Sequence, residues 1–153
     1  MRRIIIELDG VPVRAALEEA KCPSLCSALW EILPVSGRVM HEMFTGEAFR
    51  LETPVILPID PWTLFSYPRT GVEDRSFKSI MNPGDLILYP CGPSSGVLCV
   101  SYGDAQFWEG PAGPVYVNHV ATVDGLDRNF SAFLRRGREV HTLGHKTMVL
   151  RRG

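Results

Sequence analysis

The chain opens with Ile4, Ile5, Ile6 and Leu8, a short apolar run rich in β-branched residues, closed by Asp9-Gly10. That pattern predicts a strand followed by a turn. Pro12 then suits a first helical turn, and Ala15, Ala16, Leu17 and Ala20 continue with helical spacing to Lys21. After Pro23, the positions Leu25, Ala28, Leu29 and Ile32 mark a second helix over 24–33, stopped by Pro34. Two helical segments broken at a proline are therefore expected behind the first strand.

From 37 to 53 the pattern alternates, with Val39, His41 and Met43 against Met40, Glu42 and Phe44, and Thr45-Gly46-Glu47 as a kink or turn. Two strands fit, or one long strand bent at Gly46. Residues 54–82 carry Pro54, Pro58, Pro61 and Pro68 among Trp62, Phe65 and Tyr67. This reads as an aromatic loop with a short strand at 55–57, and loops longer than about 12–15 residues often serve as lids or binding loops.

Further strands are expected at Leu86-Ile87-Leu88-Tyr89, ended by Pro90; at 96–102, ahead of a Gly103-Asp104 turn; and at 115–123. Leu126, Phe130, Phe133 and Leu134 share a helical face that ends at Arg135-Arg136-Gly137, after which Val140 and residues 148–150 finish the sheet. About eight strands, two early helical segments and one late helix make a mainly β or α+β barrel with helices over its ends.

A length of 153 residues suits one domain, 1–153, with a sizeable core. Hydrophobic residues at 45% and a net charge of -1 exclude a disordered chain. Sixteen Lys and Arg against seventeen Asp and Glu lack the basic excess of a nucleic-acid binder. No apolar run approaches the ~20 residues of a membrane span, and the opening Met1-to-Glu7 stretch is too poor in apolar residues for a signal peptide. A cytoplasmic protein without a membrane partner is expected. Mean hydropathy of +0.03, slightly apolar for so small a chain, points to a homodimer.

Cys22, Cys26, Cys91 and Cys99 form no Cys-x-x-Cys pair. Cys22 and Cys26 would share a helical face as small buried hydrophobes. Gly144 argues against a helix through His141 and His145, which read as strand and turn. With no ligand spacing and no glycine-rich phosphate loop, neither a metal nor an organic cofactor is expected.

Leu33-Pro34 with the downstream His41 and Gly46-Glu47, then Asn82-Pro83-Gly84-Asp85, then Ser101-Tyr102-Gly103, follow one another in a distinctive order and spacing. Over nearly the whole chain this resembles a family of small bacterial proteins with a cyclophilin-like barrel, which includes cucumopine synthase and bacterial Pictet–Spengler cyclases. The resemblance implies an enzyme that condenses a tryptophan-like amine with an aldehyde or keto acid to a tetrahydro-β-carboline. Where the family usually has two acids after Ser-Gly, this chain has Thr45-Gly46-Glu47-Ala48 and keeps one.

That chemistry needs a group to move protons, and Glu47 is the first candidate, beside the alternative of a solvated turn glutamate. His41 and His119 are the histidine candidates, each also readable as a hydrogen-bonded sheet histidine. Aromatic walls for the ring and its cationic intermediate come from Phe44, Trp62, Phe65, Tyr102 and Trp108. Arg38 and Arg69 are candidate carboxylate anchors. The arginines at 135, 136, 138, 151 and 152 read as solvated charge. A non-catalytic small-molecule-binding barrel and a cyclic-amide hydrolase or isomerase stand as alternatives.

Overall fold

The structure is a computed structural model; it describes residues 1–43, 45–60, 77–108, 111, 113–114 and 117–153. Its strands are β1 (Arg3–Leu8), β2 (Val11–Leu17), β3 (Val35–His41), β4 (Gly46–Leu51), β5 (Val55–Ile56), β6 (Phe77–Lys78), β7 (Ile80–Met81), β8 (Asp85–Gly92), β9 (Ser95–Gln106), β10 (Val117–Val123) and β11 (Lys146–Arg152). Two helices, α1 (Pro23–Ile32) and α2 (Phe130–Leu143), complete the described elements.

Eight strands pair antiparallel in the order β2-β1-β11-β3-β4-β9-β8-β10, and β10 pairs back onto β2, closing a barrel. Short β5 and β7 add to β9, and β6 adds to β10. Closure leaves none of these eight strands with a free edge along its whole length. The expected barrel of about eight strands is what forms.

The interior is filled at period two by Ile4, Ile6 and Leu8 of β1, Val13, Ala15 and Leu17 of β2, and Met148 and Leu150 of β11. Trp30 of α1 lies under Arg2 and Arg152, at the end where β1 starts and β11 stops. Helix α2 packs at the opposite end, its Phe133 edge-on to Phe49. Strands β8 and β9 are buried on both faces. Leu86, Leu88, Leu98 and Val100 face the interior, while Ile87, Val97 and Cys99 join Ala48, Met81, Ala105, Phe107 and Val117 in a second cluster outside it. Burial on both faces explains why these stretches read as unbroken apolar runs rather than alternation.

Four expectations are corrected. Residues 11–17 form a strand, not a helix. Asp9 and Gly10 both have positive φ (51 and 81) and make a two-residue hairpin turn that returns β2 along β1, with Leu8 opposite Val11. That leaves one early helix, not two. The late helix starts at Phe130, leaving Leu126 outside it, and runs through Gly137 to Leu143, so Val140 and His141 are helical and Gly144 follows the last helical residue. Gly137 is kept inside it because a Cβ there would lie 2.6 Å from Tyr102 Cβ; the missing side chain lets helix and strand touch. Pro90 does not end β8, and Gly103-Asp104 is no turn but lies within β9, for a reason that belongs to the site.

Candidate functional site

Two groups of acid and histidine stand out. The first sits at the α2 end. β3 and β4 pair with His41 opposite Phe49, and the β4–β9 register shifts between Gly46 and Ala48. Gly46 pairs with Ala105 and Ala48 with Ser101, so Glu47 alone faces Tyr102, Gly103 and Asp104. This bulge aims the Glu47 side chain across β9. Gly46 has φ +95, and a Cβ on it would meet Asp104 O at 2.8 Å, so the bulge requires glycine.

The Glu47 carboxylate lies over Gly103. A Cβ on that glycine would be 2.5 Å from Glu47 Cδ, and the Asp104 N–H donates to Glu47 Oε2 at 2.9 Å. Gly46-Glu47 and Tyr102-Gly103 are therefore two halves of one arrangement. Gly103 extends β9 instead of ending it because its bare backbone makes room for an acid from the neighbouring strand.

Tyr102 stacks on Phe49 with ring centroids 6.5 Å apart, and its hydroxyl lies 3.1 Å from His41 Nε2. Burial and then the nearby Glu47 charge raise the phenol pKa, while Arg138 of α2 pulls it the other way. His41 stacks on His141 of α2 at 4.1 Å, and burial followed by the His141 charge lowers its pKa. A phenol that bonds the His41 ring thus lies within the electrostatic reach of Glu47, at a rim where His41 and Glu47 stay partly open. Such a group offers a hydrogen-bonded path along which a proton can be taken up and returned. Arg138 is exposed on the helix turn between Gly137 and His141 and adds a cation beside it.

The second group is sealed. His119 is 2% exposed and Asp85 1%. Asp85 Oδ1 is 3.0 Å from His119 Nε2, while Oδ2 receives Lys78 Nζ and the Asn82 N–H, both at 2.8 Å. Burial pushes the Asp85 pKa up, but the hydrogen bonds from His119, Lys78 and Asn82 outweigh it and hold it at about 2. An ionised Asp85 can only accept, so His119 Nε2 carries a proton. Thr122 Oγ1 sits 3.0 Å from the same nitrogen and donates to Glu18 Oε1 at 3.0 Å. A nucleophile–base–acid relay uses the two ring nitrogens in turn; here acid and hydroxyl share one. The arrangement ties β8, β10 and β6 together and does not prepare Thr122 or His119 for proton abstraction.

Of the candidates, the structure brings together His41, Glu47 and Tyr102. His119 belongs to the sealed group and, among the described residues, shares no hydrogen-bond partner with them. Arg38 is exposed, pairs with Glu52 at 3.3 Å and alternates in β3 with the buried Val39, away from His41. Trp108 is 51% exposed and bridges to Pro114. Phe44, Trp62, Phe65 and Arg69 lie outside the described residues. Sequence reasoning missed Asp85, Arg138 and His141. Asp85 was visible only as a turn residue, and the arginine and histidine needed α2 to continue past Gly137.

Among the described residues no group of three or more His, Cys, Asp or Glu is placed to hold a metal ion. Cys22 and Cys26 are buried with their sulfurs 3.6 Å apart, unbridged. Among the described residues, too, no helix is long and apolar enough to cross a membrane.

Among the solved structures that share the fold are two that cover nearly all of this chain. One, a structure of McbB in complex with tryptophan, superposes with a TM-score of 0.67 at 20% identity over 97% of this chain and 44% of that one. The chain thus spans under half of that protein's length. The second, the solution structure of the hypothetical protein AF2241 from Archaeoglobus fulgidus, gives a TM-score of 0.55 at 15% identity, covering 99% of this chain and 95% of that one. No curated protein matches the chain. Residues 4–150 match the family described as Protein of unknown function (DUF3830), and the chain belongs to that family.

Proposed function

We propose that the protein is a cofactor-independent Pictet–Spengler cyclase that joins a tryptophan-like amine to an aldehyde or keto acid, with the group at the α2 end as its acid–base centre. The observation that carries this reading is the placement of Glu47, opposite the β9 bulge and over Gly103, where its charge acts on the Tyr102 phenol that bonds His41. A barrel neighbour solved with tryptophan, an indole-bearing amine, supports the substrate class.

In this reaction the amine adds to the carbonyl, water leaves, and the resulting iminium is attacked by the ring. The new C–C bond leaves the attacking ring carbon tetrahedral and still bearing its own hydrogen, and aromaticity returns when a base removes that proton. Glu47 is that base, and a carboxylate also attracts the cationic iminium. Tyr102 and His41 return the proton and assist loss of water. Arg138 serves as the carboxylate anchor in place of Arg38, because it faces the group and Arg38 does not.

The test is a mass-spectrometric screen of purified protein with several indole amines and carbonyl compounds. The expected product has the summed mass of one pair less one water, and Glu47→Gln abolishes it while the amine still quenches tryptophan fluorescence. A second reading, a binding barrel without catalysis, draws on the fact that Glu47 already has a structural partner in the Asp104 N–H. Amine binding with no product from any pair favours it.

A further inference from the structure

A different face of the barrel carries a cavity that the cyclisation does not use. Ile5 pairs with Arg14 on one side and with Arg151 on the other, so Arg14, Ile5 and Arg151 form a single row across β2, β1 and β11. The row points outward, because Ile4 and Ile6, its neighbours in β1, are wholly buried in the core. Over it lies the turn ahead of α2, and between turn and sheet is an open cavity of about 530 Å³ lined by Ile5, Pro12 and Val13, by Leu126, and by Arg14, Arg128 and Arg151.

Three arginines in one cavity of a chain with net charge -1 are a local concentration. Among the described residues of the lining Asp127 is the only acid, which leaves an excess of two positive charges there. Its oxygens are already taken, by the Arg14 N–H at 3.0 Å and guanidinium at 3.5 Å and by the Asn129 N–H at 2.9 Å. Asp127 thereby fixes the turn and Arg14 in place. Arg128 and Arg151 make no ion pair among the described residues and remain available.

Leu126, meanwhile, is 95% exposed although it stands at this cavity. A leucine held so openly beside Pro12 and Ile5 gives an apolar body something to pack on. The volume lies within the range of small-molecule sites, about 300–1,000 Å³, which combine an apolar lining with a few placed polar groups.

We propose that this cavity binds a small dianion with an apolar body, of the organic phosphate monoester or dicarboxylate kind, its charge held by Arg128 and Arg151 and its body lying on Leu126. Guanidinium forks match the oxygen pairs of phosphate and carboxylate. A phosphate monoester carries about −1.5 to −2 charge at neutral pH, which balances the excess in the lining.

Calorimetric titration of the whole protein with phenyl phosphate, phenylmalonate, benzoate and inorganic phosphate tests this. Phenyl phosphate or phenylmalonate binds saturably, and benzoate at least about tenfold more weakly, since a second charged contact is lost. Which of the two dianions binds tighter identifies the source of the charge. Arg128→Glu and Arg151→Glu each weaken binding about tenfold or more, and Leu126→Ser weakens phenyl phosphate but not inorganic phosphate. Arg135→Glu, an exposed arginine of α2 outside the cavity, leaves binding unchanged. Absence of saturable binding by either dianion overturns the proposal, as does equal weakening by Arg135→Glu. Equal affinity for benzoate removes the dianion, and equal affinity for inorganic phosphate removes the apolar body. Glu47→Gln leaves all four titrations unchanged, so failure here and failure of the cyclase reading are separate results.

Discussion

Two groups that contain a carboxylate and a histidine, Asp85 in direct contact with His119 and Glu47 linked to His41 only by way of Tyr102, differ in what surrounds them. Around Asp85 and His119 Nε2 the partners are many: Lys78, the Asn82 N–H, Thr122 and, through Thr122, Glu18. Around Glu47 and His41 the hydrogen-bond partners among the described residues are an N–H for the acid and a phenol for the ring, which also stacks on His141, and both side chains are partly open. Full satisfaction makes a strong tie and a poor catalyst, since the proton on His119 has nowhere better to go. Incomplete satisfaction costs stability locally but leaves hydrogen-bonding capacity to spare for a substrate.

The largest expected effect lies on the sealed side. Asp85→Ala leaves Lys78 and His119 facing an uncompensated buried site, and breaking a buried pair costs about 3–5 kcal/mol. A chemical denaturation curve showing under about 1 kcal/mol would mean the group is not the tie described. The same contrast predicts an acid transition. The Asp85 pKa is lower in the fold, about 2 against an ordinary 3.8, so its stabilisation is complete above 3.8 and disappears as pH falls towards 2. That amounts to about 2 kcal/mol, to be read as a pH-dependent denaturation midpoint that Asp85→Asn abolishes.

A smaller effect sharpens the open side. Gly103→Ala pushes the Glu47 carboxylate off the Asp104 N–H, so turnover falls while stability changes by about 1–2 kcal/mol. Loss of turnover only through unfolding would show Gly103 to be purely structural. The smallest effect belongs to His41, whose pKa is lower in the fold than its ordinary 6.5. The unfolded chain binds the proton more readily, so this contribution to stability is present above about 6.5 and fades below it. His41→Gln flattens that slope in a melting series between pH 5 and 8.

Where one element carried its own signal, the sequence was legible. β1 showed its β-branched run, α1 its spacing between prolines, and Gly46-Glu47 its bend. At β2 the alanines Ala15, Ala16 and Ala20 favour helix locally, but the Asp9-Gly10 pair makes a hairpin whose tight turn sets the register and overrides that preference. Gly137 and Gly103 looked like stops. Each is instead a contact, with Tyr102 and with Glu47, and nothing near it in sequence announces the partner. The role of Asp85 was hidden for the same reason: His119 lies 34 positions further on (119 minus 85), and only the β8–β10 pairing brings them together.

The most direct test of the account is the rate of product formation by Glu47→Gln beside Glu42→Gln, with the melting temperature of each variant recorded. Glu42 is on the neighbouring turn but is paired with Arg50 at 3.2 Å and takes no part in the group. The account predicts that Glu47→Gln melts within a few degrees of the parent and still binds the indole amine, while turnover drops about 10²–10⁴-fold, and that Glu42→Gln keeps most of its turnover. Near-parental turnover in Glu47→Gln, with loss in His119→Ala at an unchanged melting temperature, would contradict it and move the base to the sealed group.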